Sequence, residues 1–438
     1  MTTVPQKESK YILPFYLDNM EAWNRKHLHD WSRTSVSPRY LAQYITEFFA
    51  GDEPADNSHG TKPICSVYYL RPEVRSTYGF PDKGRRIGMQ QAIFSGQEEY
   101  FSFNLQEIRL FQFVTGMCFL ELSVFHEDEE SLEMMVNENF ALVHMLGDRI
   151  GAGEEGNDRG VRFFSEPEKK EETGEVFLQQ AVFGLLGVGE VSFVRSRFTA
   201  FHRLILQEQQ EGDEVQIRRL CRGQHSNFLA SQETEDDTGD FYYTPTENIF
   251  WAGCANGVVS LSYDLGENTD FIRHHFPRNV NQNYYLLFLI AMNEREIMLH
   301  YNYEAVRNWN NAKQLVEMRK KLVRFDIMFA YNTVSEEPAY QRFYESIYQV
   351  LRLNFLEKDI QEVVEMVDEY TSSSRERRVN VILGAIAVLS VFSAASDGLS
   401  FIDRVLGVDA PLGPMHYVFL GGIAAVVIIA AVMALRKK

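Results

Sequence analysis

The chain has 438 residues, of which 45% are hydrophobic and 24% charged, so it can bury a full core and wholesale disorder is excluded. Its net charge of −18 argues against direct binding of nucleic acid, because phosphates are bound by basic surfaces. Four scattered cysteines without a C-x-x-C pair indicate reduced thiols in a reducing compartment and no zinc site. The first ten residues contain no apolar segment, so we expect no signal peptide.

Residues 1–279 are predicted to form a cytoplasmic α/β sensor domain. Four segments rich in β-branched and aromatic residues predict strands over 100–105, 108–115, 118–125 and 258–263. A helix over 131–146 is predicted between them, because its apolar residues recur at three- and four-residue spacing. Strands and helices are therefore mixed in this part of the chain.

Three clusters of arginines with aromatic or histidine neighbours occur in this domain. Guanidinium groups and aromatic rings suit a ligand that carries phosphate and a base. The same arginines could instead pair with the many carboxylates of the domain, so both interpretations stay open. The candidate ligand-binding residues are Arg195, Arg197, Arg218, Arg219, Arg222, His274 and Arg278. No catalytic motif and no metal-ligand spacing occurs, so we expect neither an enzyme nor a resident metal.

Residues 280–374 are predicted to form long cytoplasmic stalk helices. Apolar periodicity predicts helices over 281–303 and 311–331, and a third that starts at Pro338. No glycine or further proline occurs before Gly384, so we expect one continuous helix from Pro338 to Asp397, about 90 Å long at 1.5 Å per residue. Thr371-Ser-Ser-Ser374 is the one weak point, where the helix could bend.

Residues 375–438 contain two apolar segments that predict a transmembrane hairpin. Residues 379–396 and 417–435 carry no charged side chain, and each is long enough to cross a bilayer as a helix. Basic residues flank the outer ends of the pair, and the connecting loop is acidic, so the positive-inside rule places both termini in the cytoplasm. We therefore expect a multi-pass protein of the bacterial inner membrane, with the lipid bilayer as a partner.

The first span has a face of small residues. At 100° per residue the face contains Asn380, Gly384, Ala387, Val391, Ala394 and Gly398, and Asp397 follows at the outer end. Such a face either lines a pore or packs closely against a neighbouring helix. One hairpin cannot enclose a pore, so the hairpin is either an anchor or part of a homo-oligomer. These seven residues are the candidate pore-lining set.

This architecture resembles the CorA family of two-span metal-ion transporters. The likeness covers roughly residues 280–438, and Asp368-Glu-Tyr370-Thr-Ser-Ser373 before Asn380 resembles the family's approach to its pore helix. The resemblance implies a homo-oligomer, most simply a pentamer, whose first span lines a pathway for inorganic cations such as Mg²⁺. The family's Gly-Met-Asn signature is missing, and Ser396-Asp397-Gly398 stands in its place.

Divergent CorA-like proteins without that signature resemble membrane effectors of bacterial antiphage systems that accompany type III CRISPR. Their resemblance implies a nucleotide messenger, a conjugate of S-adenosylmethionine and AMP (SAM-AMP). Our leading hypothesis is a channel gated by its cytoplasmic domain in response to such a messenger. The alternatives are a divalent-cation (Mg²⁺) transporter that uses Asp397, and a non-conducting membrane-anchored binding or scaffold protein.

Overall fold

A computed structural model describes most of the chain up to residue 366. The described residues are 3–4, 6–36, 38–49, 63–83, 86–92, 98–126, 130–146, 161–164, 177–187, 189–195, 197–209, 212–227, 239–266, 268–308, 311–329, 333–363 and 365–366. Both predicted spans and the whole candidate pore-lining set lie outside this part of the chain.

The described strands belong to one large sheet and one small one. They are β1 (Thr3–Val4), β2 (Gln6–Tyr16), β3 (Trp31–Thr34), β4 (Cys65–Leu70), β5 (Arg86–Ala92), β6 (Glu98–Phe113), β7 (Met117–His126), β8 (Glu130–Ser131), β9 (Val161–Phe164), β10 (Ser192–Phe193), β11 (Thr199–Leu206), β12 (Asp240–Thr246), β13 (Ile249–Cys254) and β14 (Gly257–Tyr263). β1 pairs with β8, and the other twelve described strands form the large sheet.

The large sheet is antiparallel except at one pair of strands. Its main order is β12-β13-β14-β11-β2-β7-β6-β4-β3, and only β11 and β14 run parallel. The β6–β7 hairpin turns at Gly116, whose φ of 94° lies in the left-handed region. A Cβ there would lie 2.9 Å from the Tyr16 ring, so both the turn and the close approach of β2 require glycine.

Helices pack against both faces of the sheet. The described helices are α1 (Met20–His27), α2 (Gln43–Phe48), α3 (Leu132–Val143), α4 (Phe177–Leu186), α5 (Asp213–Arg222), α6 (Phe276–Asn279), α7 (Tyr285–Arg307), α8 (Ala312–Phe329), α9 (Pro338–Val350) and α10 (residues 353–363). Single 3₁₀ turns occur at Leu28–Asp30, Pro72–Val74 and Ser76–Tyr78, and π-helical turns at Phe271–His275 and Val280–Tyr284.

Two cores separate the layers. α3 and α5 pack on β11, β13 and β14 through apolar residues such as Leu204, Leu220 and Leu261. On the other face, Trp251 of β13 contacts Tyr284 and Phe343, with ring centroids 4.6 Å apart in both pairs. The architecture is therefore a mixed α/β fold with a large sheet and long helices, which confirms the predicted fold class at that level.

Two expectations from the sequence are wrong in detail. The strands predicted over 100–105 and 108–115 are one strand, β6, with an irregularity between Leu105 and Glu107 that keeps it paired to β7. The helix predicted to run unbroken from Pro338 is interrupted after Val350, where Arg352 has φ of 55°. Because no glycine, asparagine or proline marks this position, the sequence does not predict that the helix ends there.

The chain divides into two compact units. One contains residues 1–307 and 321–360, and the other contains residues 308–320 and 361–438. The predicted domain boundaries at 279/280 and 374/375 stay predictions.

Candidate functional site

The structure gives the first two arginine clusters partners within the protein. Arg195 precedes β11 and donates to the buried Glu296 of α7. Burial lowers the pKa of Arg195 to about 10, and the carboxylate of Glu296 opposes that shift. Arg197 donates to Oδ1 of Asn256 at 2.8 Å, in the turn between β13 and β14. Ion pairing thus accounts for Arg195, while Arg197 lies at the surface.

The end of α5 meets the same turn through its backbone. Arg222 pairs with Asp240 at 2.7 Å, and its carbonyl accepts from Nδ2 of Asn256 at 3.4 Å. Arg218 pairs with Glu214 at 2.9 Å on the exposed side of the helix. Arg219 is the next residue of α5 after Arg218. Asn256 therefore links the Arg197 cluster to the end of α5, so the first two predicted clusters come together.

The third cluster lies elsewhere. Arg273 donates to Asp264 at 2.5 Å, just beyond the other end of β14. Asn256 and Asp264 are about 26 Å apart along the strand direction at roughly 3.3 Å per residue. The exposed His274 and Arg278 belong to this end, so the seven candidate ligand-binding residues form two separate groups.

A buried group of charged residues on β2, β6, β7 and β11 was not predicted from the sequence. We call Glu8, Lys10, Arg109, Glu121 and Arg203 the sheet network. Glu121 is fully buried and lies 2.7 Å from Arg109 and 3.7 Å from Lys10. Glu8 lies 3.0 Å from Lys10 and 3.0 Å from Arg203. Acidic and basic side chains alternate here across neighbouring strands.

The basic side chains of the sheet network keep its carboxylates ionised. Burial by itself would raise the pKa of Glu121, but Arg109 and Lys10 hold it below its ordinary value. Burial likewise acts to raise the pKa of Glu8. The positive charges of Lys10 and Arg203 outweigh this effect, so the pKa of Glu8 falls to about 2. Breaking one partner of such a buried pair leaves an uncompensated charge, which costs about 3–5 kcal/mol.

The helical layer is attached to the sheet network by two side chains. Tyr285, the first residue of α7, donates to Glu121 at 2.5 Å, and the Lys10 ammonium lies 5.2 Å from the Tyr285 ring centre. Asn281, in the π-helical turn before α7, donates to Glu8 at 3.2 Å. π-Helical turns are frequent at functional sites, and this one aims a polar side chain at a buried carboxylate. The start of α7 is thereby fixed to the centre of the sheet.

Further along α7, a polar run interrupts the apolar sequence. Glu294 accepts from the Tyr344 hydroxyl of α9 at 2.9 Å, and burial raises the pKa of Glu294 to about 8. Tyr348 donates to Glu357 of α10. Asn293 is fully buried, and neither polar atom of its side chain has a hydrogen-bond partner among the described residues. Asn293, Glu294 and Arg295 interrupt the apolar run of α7, and this interruption is the sequence signal that could have revealed the site.

No metal site or membrane span is found where the structure is described. Within the described ranges, no group of three or more His, Cys, Asp or Glu residues could hold a metal ion. Over the same residues, no helix is both long and apolar enough to cross a membrane.

Comparisons with known proteins give one structural likeness. No protein-family model matches the sequence, and no curated protein matches it significantly. The structure is similar to the CorA magnesium transporter from Methanocaldococcus jannaschii, with 14% identity over 57% of this chain and 94% of that chain, and a TM-score of 0.20. That TM-score is too low to define either the fold or the activity of the chain.

Within the larger unit, the long helix α7 is thus attached to the sheet by hydrogen bonds from Tyr285 and Asn281 to carboxylates of the sheet network. This geometry suits mechanical coupling between the sheet and α7. The tie consists of charge-assisted hydrogen bonds, which are stronger than neutral ones and hold the helix in a defined position.

Proposed function

We propose that the chain is a homo-oligomeric, CorA-like membrane ion channel of the bacterial inner membrane, gated by its cytoplasmic domain. The observation that carries this proposal is the sequence of residues 375–438, with two charge-free segments of spanning length, basic flanks and an acidic loop. The pentamer and the cation pathway rest on the resemblance of residues 280–438 to the CorA family. The proposed activity is conduction, with no catalytic residue.

The proposed role is that of an antiphage effector which responds to a nucleotide messenger such as SAM-AMP. The ligand would bind where Arg197 and the end of α5 meet at Asn256, because the exposed guanidinium group of Arg197 lies there beside a polar turn. The sheet network supports a route from the sheet to α7, since Lys10 and Arg109 contact Glu121, which contacts Tyr285.

Ion flux into liposomes that carry the purified full chain tests this proposal. We expect sodium or potassium flux only when SAM-AMP is present. We expect Arg197→Ala and Arg219→Ala to weaken the response to the nucleotide at least several-fold without dissociating the oligomer. Arg25→Ala, an exposed arginine of α1, is the matched control and should respond like the unaltered chain.

Other outcomes favour the alternatives. Magnesium flux without nucleotide, abolished by Asp397→Asn, would identify a divalent-cation transporter. Absence of flux under every condition, together with tolerance of a bulky residue at Ala387, would identify a non-conducting membrane-anchored scaffold. Unchanged nucleotide affinity in both arginine variants would remove these residues from the ligand site.

A further inference from the structure

Helix α8 has an exposed face that is both basic and apolar. Its buried side consists of Leu315, Met318, Leu322, Phe325 and Phe329. At 100° per residue the opposite side contains what we call the basic stripe, formed by Lys313, Val316, Lys320, Val323 and Arg324. All five are exposed to solvent, and Val316 and Val323 are 36% and 44% exposed. The exposed Glu317 lies beside this stripe and is 3.4 Å from Lys320. The helix carries five basic and two acidic residues in a protein whose net charge is −18.

The helical residues 353–363 and 365–366 have an exposed face of the opposite charge. Phe355, Asp359, Glu362 and Met366 follow one another at intervals of four, three and four residues, so they lie on one side of a helix. We call them the acidic stripe. Phe355 is 69% exposed and Met366 is 61% exposed, which is unusual for side chains of that size. Four acidic residues and one lysine lie in this stretch.

The two stripes are opposite in charge and similar in length. Each combines charged and apolar side chains over about 11–12 residues, which is about 17 Å of helix. Helix α8 has a net charge of +3 and residues 353–366 have −3. Both faces are exposed in the described part of the single chain. A second copy is the one partner certain to carry the complement of each stripe.

We propose that the acidic stripe of one copy packs on the basic stripe of another copy. Because the two surfaces differ, this contact is heterologous, and repeated contacts of this kind close a ring when the rotation between copies allows it. The apolar side chains supply buried area, and the charges fix the register and exclude the like-charged pairings. This inference rests on the proposed homo-oligomer and names the surfaces that hold it together.

Disulfide trapping in the full chain tests the contact. Val316→Cys and Phe355→Cys are introduced into two differently tagged copies of the chain, which are expressed together. The four native cysteines are buried, so background crosslinking is low. We expect a covalent dimer that carries both tags after mild oxidation. Asn354→Cys is the matched control, since this exposed residue is turned about 100° from Phe355 on the same helix and should crosslink far less.

Charge reversal gives an independent measurement. Lys320→Glu and Glu362→Lys should each lower the yield of the trapped dimer roughly tenfold, because each places like charges together. The two reversals combined should restore most of the yield. An intact oligomer without a dimer that carries both tags would overturn the inference. So would a Lys320→Glu variant that loses binding to anionic vesicles but keeps the dimer yield, because lipid would then be the partner.

The flux measurement separates this inference from the proposed function. Trapped dimers without ion flux would support the contact and contradict the channel. Nucleotide-dependent flux from an oligomer in which the disulfide-linked dimer never forms would support the channel and contradict the contact.

Discussion

At the residue scale, Glu294 is the most unusual titrating group described. Its carboxyl is buried on α7, accepts from Tyr344 and lies near Glu357, and its pKa is raised to about 8. A carboxyl with a raised pKa stabilises the fold most below the pKa of the unfolded chain, near 4.5. That stabilisation is lost as the pH rises from the unfolded pKa through the folded pKa, because over this range the folded form still holds a proton that the unfolded form has already lost.

We therefore expect the stability of the protein to fall as the pH rises from about 5 to about 8. The free energy of unfolding should decrease by up to about 1.4 kcal/mol per pH unit from this group alone. Glu294→Gln keeps an oxygen that accepts from Tyr344 and cannot ionise, so it should flatten the slope. Thermal unfolding at several pH values measures the effect, with the exposed Glu345→Gln as control. An equal slope in both variants would contradict a raised pKa.

At the element scale, the segment before β11 is held to α7 by Arg195 and Glu296. Glu296 is 1% exposed and also contacts Arg295 at 3.0 Å. Removing Arg195 therefore costs a different amount of stability from removing Glu296. Without Arg195, Glu296 keeps Arg295, whereas Arg195 loses its carboxylate partner when Glu296 is removed.

We expect Glu296→Met to destabilise the protein by about 3–5 kcal/mol and Arg195→Met by less. The double variant should recover much of the loss, since no buried charge is then left without its partner. A double-mutant cycle by chemical denaturation measures the coupling between the two side chains. Additive losses in the double variant would show that the pair contributes no coupling.

Local sequence patterns predicted the elements better than their junctions. Helices α7 and α8 begin and end within four residues of the prediction, because their apolar periodicity is strong. The break at Arg352 was missed, because nothing in its composition marks a left-handed residue. The sheet network was also missed, since Glu8, Glu121 and Arg203 are more than 80 residues apart along the chain and meet only through strand register. The candidate arginines can be identified in the sequence, but their arrangement in two separate groups depends on the strand order of the sheet.

At the scale of the whole molecule, the reactivity of the four cysteines measures whether the core is folded. All four are buried and unpaired, and burial raises the pKa of each thiol. Thiolates are the reactive form, so the folded protein should react slowly with a thiol reagent.

We expect less than about one thiol per chain to react in the folded protein within minutes, and all four in denaturant. A colorimetric thiol assay measures both. The Val316→Cys variant adds one exposed thiol and should show one rapid equivalent, which confirms that the reagent has access. Rapid reaction of any native cysteine would contradict the close packing around that residue.

The position of β2 in the middle of the large sheet has a consequence for synthesis. Its partner strands end at residues 126 and 206, and β14 completes the parallel pair at residue 263. The first predicted span starts 116 residues later, at residue 379, which is roughly 6–23 s of translation at about 5–20 residues per second. Every described strand of the sheet has therefore been synthesised before the first predicted span, so strand pairing has time to begin ahead of it.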